Sequence, residues 1–404
     1  MKLTTGISRH NYYSFLWHAF FLALAQNFID VDTVIPAMLV DAGGSGIHIG
    51  LMTAIMLGGS SFTQLIFAPF ISNYPYKKKF LLLGINIRIA SLLCLGLMLY
   101  FSMKGEYIIW LIFILITFFS LGGAFANVSY TDILGKSVDQ STRKSFFSVK
   151  QVVAGLMLLL SALLAKKVIT LEDFPLNYAY MFLIGFLALF IASLGFWQLK
   201  ERRPSRLIIK NPGHFMSLIK TELTQNNKLS YFLGFINTMG VSIALLPFIM
   251  LYAKDLYHTQ SQDTGLFLLS KVIGSVIIGF ILFVLNKKFK YRYLLYGNIF
   301  LVISIPLFLL ISPGTPPFLL IFLIGGVILS IYLISMNGVL LEISDTENRA
   351  LYTGIAGAGN IIPAIFPILG GWIIERTGYQ LFFVLFIFII LLSLFFIYKL
   401  DCRK

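Results

Sequence analysis

Twelve stretches of this chain are apolar over twenty residues or more, and that fixes its class before any motif is read. They run over roughly 14–40, 46–71, 80–102, 107–133, 145–168, 178–198, 229–253, 264–286, 292–312, 317–343, 350–374 and 379–399. A helix rising about 1.5 Å per residue needs about 20 apolar residues to cross a hydrocarbon core of about 30 Å. Backbone polar groups find no water in that core, so each span must satisfy its own hydrogen bonds as a helix. Composition agrees: the chain is 58% hydrophobic and 12% charged, against about 45–50% and about 25% in soluble domains. The expected fold class is all-α, a polytopic membrane protein with twelve transmembrane helices. The first run is too long for a signal peptide, and no small-residue cleavage site precedes the second.

The net charge of +14 would suggest a nucleic-acid partner if it were not so placed. With alternate loops assigned to opposite sides, 23 Lys and Arg fall on the side that holds both termini. Five fall on the other: Lys104, Lys166, Lys167, Lys254 and Arg376. Positive loops stay cytoplasmic, so both termini are expected inside, in a bacterial inner membrane, with lipid and not nucleic acid as the partner of the basic loops. The longest polar stretch, 199–228, divides six spans from six. Its first part should lie against anionic headgroups. Phe215, Leu218, Ile219 and Leu223 have the spacing of a short interfacial helix. Cys94 and Cys402 offer no disulfide framework or metal spacing. No nucleotide loop, metal cluster or nucleophile–base motif is present, so neither enzyme chemistry nor a cofactor is expected.

The two sets of six spans repeat one another. "NYPYKKKFLLLG" at 73–84 lies over "NKKFKYRYLLYG" at 286–297 without gaps. "GLMTAIMLGGS" at 50–60 matches "GLFLLSKVIGS" at 265–275, and "NVSYTDI" at 127–133 matches "NGVLLEI" at 337–343. Pro36 corresponds to Pro247, and Arg143 and Arg349 follow the paired acids Asp132 and Glu342. All these matches come in one order, at shifts between 206 and 215 residues. Two six-helix halves joined by a basic cytoplasmic loop resemble the major facilitator superfamily. The resemblance covers essentially the whole chain. It implies two pseudo-symmetric bundles, 1–198 and 229–404, joined by a linker at 199–228, and a monomer that rocks around a central cavity. Asn73 and Tyr76 stand where the superfamily usually has Asp and Gly. The span-five Gly-Pro of drug/proton antiporters is absent from "VVAGLMLLLSALL" at 152–164.

Polar residues inside the spans are the candidates for function, because ionisable groups there are costly and mark pathways. "QNFIDVDTVIP" at 26–36 puts Asp30 and Asp32 into the first span. Either the span ends early and they form a solvated mouth, or Asp30 lines a cavity with Gln26 and Asn27. The apolar "TVIPAMLV" that follows favours a continuing helix. In a continuous helix Asp30 and Asp32 would point about 200° apart, Asp32 sharing its face with His18. Burial would raise the Asp30 pKa and suit it to proton coupling. His18 reads as a hydrogen-bonded interfacial histidine, with titration as the alternative. Arg88, near mid-depth, should have a structural partner such as a carboxylate or helix-end carbonyls. Lys150 can snorkel; with Gln151 it is the weaker candidate for an anionic substrate group. Lys271 is the stronger, since Met56 stands at its repeat position. Asn127, Asn337 and Asn360 are mid-span amides, suited to helix–helix bonding or to a cavity wall.

Asp132, Arg143, Glu342, Arg349, Lys77 and Lys290 cluster at the cytoplasmic ends of spans four and ten and in the loops beside them. They are expected to form ion pairs that close that side. Together these features predict a secondary-active transporter, symporter or antiporter, that moves a small organic solute by alternating access, with protons as the coupling ion. The alternatives are an uncoupled facilitator and a non-transporting receptor or scaffold on the same fold.

Overall fold

The computed structural model describes residues 5–101, 107–139, 142–204, 221–224, 226–284, 291–311, 314–343, 352, 355–357 and 359–400. Regular structure among them is helical. Among the described residues eleven helical stretches are long and apolar enough to cross a membrane, and span two is a helix of 27 residues, Gly46–Ser72. Spans three to six are Lys78–Tyr100, Ile108–Ser137, Arg143–Val168 and Leu176–Gln198. Spans eight, nine, ten and twelve are Ser261–Val284, Tyr291–Ile311, Phe318–Ile343 and Tyr379–Leu400. This is a multi-pass membrane protein. Most of the proposed interfacial helix, 215–220, lies outside the described residues.

Spans one and seven are not continuous. Span one is helical over Thr5–Gln26, tightens into a 3-10 turn at Asn27–Ile29, and resumes as Val34–Asp41. Between the pieces Asp30 is extended, with φ −65° and ψ 126°. Span seven is helical over Asn227–Met239, passes through a 3-10 turn at Gly240–Ala244, and resumes as Leu245–Tyr257. The reason lies in the repeat. Pro36 and Pro247 each take the third position of the resumed helix. A proline lacks the N–H that a helix interior needs, but N–H groups of a first turn have no intrahelical acceptor anyway. Each proline therefore suits a restarted helix and disfavours a continuous one. The expectation that span one runs unbroken through its aspartates is corrected here, and with it the argument about which residues share a face with Asp30.

Packing divides the chain into two compact units, residues 1–30 with 59–214 and residues 31–58 with 215–404. The sequence repeat groups residues 31–58 with the first half, whereas they pack within the second unit. The segment begins at the break after Asp30 and ends at the Gly58–Gly59 pair inside span two. In the first unit spans three and four, three and six, one and six, and one and five pack together. In the second, spans nine and ten, nine and twelve, seven and twelve, and seven and eleven do the same. The pairing is that of the repeat. Small residues make the close crossings, as is usual where lipid offers no hydrophobic incentive to associate. A Cβ on Gly84 of span three would lie 2.6 Å from the Gly122 carbonyl oxygen of span four. One on Gly195 of span six would lie 2.5 Å from the Ser14 carbonyl oxygen of span one.

Candidate functional site

The restarted helix Val34–Asp41 carries an acid near each end, and each acid meets a buried lysine of the second unit. Asp32 Oδ2 is 2.8 Å from Lys271 Nζ of span eight. Asp41 Oδ1 is 2.6 Å from Lys254 Nζ, at the end of span seven. Both lysines are 7% exposed. A lone ammonium so buried would be expensive, and a hydrogen-bonded carboxylate offsets that cost. Lys271 also has a fixed origin, because Gly326 of span ten packs directly on its carbonyl. Beyond Asp41, Gly46 and Gly50 cross Gly371 and Pro367 of span eleven at backbone distance. Glu375 Oε1 accepts the Ile47 N–H at 2.8 Å, placing negative charge at the start of span two, where the helix dipole favours it. Residues 31–58 are therefore held to the rest of their unit by two ion pairs and a helix crossing.

The sequence singled out Asp32 and Lys271, and the fold brings them together. Asp30 sits at the break, partly buried. Asn27 is buried and donates from Nδ2 to the Leu158 carbonyl at 2.7 Å, while Gln26 is exposed. In sequence Lys254 reads as a loop charge, and nothing local marks Asp41 as its partner. Their signal was opposite charges closing the two helices that restart at Pro36 and Pro247.

In the first unit Lys150, His18, Phe15 and Phe196 gather around Tyr130, which sequence reasoning missed. Lys150 Nζ donates to its hydroxyl at 3.4 Å and lies 5.5 Å from its ring centre. His18 stacks on Phe196 at 3.7 Å between ring centres, with Nδ1 3.3 Å from the Ala192 carbonyl oxygen. The Tyr130 ring centre is 6.5 Å from that of His18. Gln151 is exposed. The Arg88 guanidinium lies over Phe119 of span four, 4.3 Å from the ring centre. Its Nε is buried with no hydrogen-bond acceptor among the described residues. The partner seen is an aromatic face instead of the expected carboxylate or carbonyls.

At the end of the first unit that holds the loop between spans two and three, Lys77 and Lys136 both pair with Asp132, at 3.2 and 2.8 Å. Lys136 also reaches Glu201 at 2.6 Å. Glu201 accepts the backbone N–H groups of Lys77 and Lys78, each at 2.8 Å, and so caps span three. Its side chain is 3% exposed. These bonds all lie within one unit, so they brace that bundle. Glu342 is exposed at the end of span ten. Lys290 and Arg349 lie outside the described residues, as does the side chain of Arg143. Glu201 was not anticipated, because it falls in the polar stretch assigned to headgroups. Replacing it with Gln removes the charge shared by Lys136 and two backbone donors, and should cost about 1–3 kcal/mol. Denaturation of the purified protein reads that loss, and an unchanged midpoint would show the cap to be dispensable.

Span eleven is also interrupted. Gly359 forms a turn, and the helix restarts at Ile361. Asn237 of span seven fixes that restart. Its Oδ1 accepts the N–H groups of Ile361 and Ile362 at 3.0 and 2.9 Å, and its Nδ2 donates to the Gly359 carbonyl at 2.6 Å. Asn360 stands at this junction. Asn337 is exposed and donates to the Leu333 carbonyl of its own helix at 2.8 Å.

Comparison with known proteins agrees with this architecture. The profile described as Major Facilitator Superfamily matches residues 16–285 and, in a second match, 229–402. The chain is similar in structure to an aspartate-to-alanine mutant of the nucleoside transporter NupG, at 14% identity over 98% of this chain and 100% of that one, with a TM-score of 0.68. A bacterial homologue of the human lysosomal transporter Spinster, inward-facing and unoccupied, is 11% identical over 98% and 97%, with a TM-score of 0.66. A D-xylose–proton symporter is 14% identical over 96% of each chain, with a TM-score of 0.66. At such identities the likeness is one of fold. No curated protein matches the chain in sequence.

Proposed function

This chain belongs to the Major Facilitator Superfamily, and from that premise we propose that it is a secondary-active transporter moving a small organic solute by alternating access, with protons as the coupling ion. The observation that carries the reading is the acid-bearing break in span one, with Asp32 already neutralised by Lys271 at 2.8 Å. Alternating access needs elements with two arrangements, biased by ions that favour one of them. Residues 31–58 suit that role. They are bounded by a helix break and a Gly-Gly pair and held by ion pairs that can be opened. Discontinuous helices near the membrane midplane are where such transporters bind solute and coupling ion. Asp30, which stands on extended backbone at the break in span one, is the coupling group. That one structural neighbour is a sugar–proton symporter supports testing protons first. The Lys and Arg distribution supports a cytoplasmic location for both termini, in a bacterial inner membrane.

Asp30→Asn should abolish uphill, proton-driven accumulation in proteoliposomes while leaving substrate exchange intact. Uphill transport that survives in this variant removes Asp30 from coupling. Wild-type flux independent of any pH gradient would identify a facilitator.

A further inference from the structure

Buried polar atoms without partners are rare in folded proteins, and each calls for an explanation. Two of them converge on the break in span seven. Gly240 opens the 3-10 turn, and a Cβ built there would lie 3.1 Å from the Tyr332 hydroxyl and 3.2 Å from Asn360 Oδ1. Both atoms are buried and have no hydrogen-bond partner among the described residues. Tyr332 belongs to span ten and is 2% exposed. Asn360 sits at the break in span eleven, held in place by the Asn237 bonds to Gly359, Ile361 and Ile362. Two further orphaned hydroxyls lie on the same elements: Ser242 in the 3-10 turn, and Ser335 on the Tyr332 face of span ten, one turn on. Gly240 is needed here because any Cβ would crowd both atoms and press to 2.6 Å on Pro363 Cγ.

We propose that Gly240, Tyr332 and Asn360 form a subsite for a hydroxyl group of a neutral solute. The chemistry selects the class. Tyr332 O–H can donate, and the Asn360 amide presents an oxygen that accepts. Asn side chains are placed by their bonding partners, so the amide is also able to present its nitrogen. A hydroxyl both donates and accepts, and so complements the pair in either orientation. Neither orphaned atom is bonded to a charged group that would offset the desolvation of a carboxylate or an ammonium. Sugars, polyols and nucleosides are the solutes that carry such groups without charge. The inference deepens the transporter reading by naming a substrate class, but binding at the subsite is measurable without transport.

The test is a thermal-shift titration of the purified full-length protein with two panels at equal concentration. One holds neutral pentoses, hexoses, pentitols and nucleosides; the other holds carboxylates and amines. At least one neutral hydroxyl compound should stabilise the wild type saturably. Tyr332→Phe, which keeps the ring, and Asn360→Ala should each weaken its apparent affinity about tenfold or more, as expected when a buried partner is left unpaired. Gly240→Ala should abolish binding by crowding both atoms. Saturable binding of charged solutes only overturns the proposal. So does neutral binding that Tyr332→Phe and Gly240→Ala leave unchanged, and so does binding from neither panel, which would leave these atoms to water. Flux in proteoliposomes separates the two readings. Neutral binding without flux sinks the transporter and spares the subsite, whereas flux of a charged solute indifferent to Tyr332→Phe does the reverse.

Discussion

Lys271→Met should destabilise the protein by about 3–5 kcal/mol, and adding Asp32→Asn should recover most of that loss. The single change leaves the Asp32 carboxylate, whose side chain is 15% exposed, without the ammonium 2.8 Å away. Stranding one partner of a buried pair costs about 3–5 kcal/mol, whereas removing both charges together is often neutral. The reverse single change, Asp32→Asn, strands Lys271, which is 7% exposed, and should cost a similar amount. A double-mutant cycle on denaturation midpoints gives the coupling directly. If the cycle closes with additive losses, the pair is no interaction, and the hold on residues 31–58 rests on Lys254, Asp41 and the span-eleven crossing instead. If the coupling is large, the paired variant becomes the useful one for mechanism. It keeps the protein folded while removing the charges that bias this segment, so its transport cycle should shift in rate while binding remains.

The origin of this pair shows where sequence reading stops. Both residues stood out from local context, as charges within apolar runs. Their partnership depends on the second piece of span one packing among helices more than two hundred residues away, and no local pattern encodes that. The helix breaks were half-written. Pro36 and Pro247 matched as repeat equivalents, yet a mid-span proline is compatible with either a kink or a restart. Only the 3-10 turns before them decide between the two. The spans themselves were legible because hydrocarbon imposes one length and one backbone solution on all of them. Asp132 and Lys77 were legible as a charge cluster beside a short loop. Glu201 was not, because it sits next to a run of basic residues whose composition suggested lipid. Tyr130 and Tyr332 were invisible among 19 tyrosines, since Tyr130 is marked by the company of Lys150 and His18 and Tyr332 by one buried hydroxyl.

The packing of span eight on span ten makes the second prediction, and it concerns glycines with no polar group at all. A Cβ on Gly274 would overlap the Leu323 carbonyl, and one on Gly326 would overlap the carbonyl of Lys271. In both cases the atom in the way is backbone, so the helices must separate to admit a methyl group. Overpacking of this kind costs about 1–3 kcal/mol or more. Gly326→Val should exceed that range, since it adds two further carbons at the crossing, and loss of monodisperse protein is the expected readout. Gly279 supplies the internal control. It lies on the same helix as Gly274, and a Cβ there meets nothing within 4 Å. Gly279→Ala should therefore be neutral or stabilise by up to about 1 kcal/mol, the ordinary gain in helix propensity. Equal losses at 274 and 279 would mean that glycine content, and not the crossing, governs this helix. A loss confined to 274 and 326 places the constraint at the crossing. It also gives Lys271 a reason to sit where it does: the helix carrying it is pressed against span ten at its own carbonyl, and that contact fixes the point from which its side chain reaches Asp32.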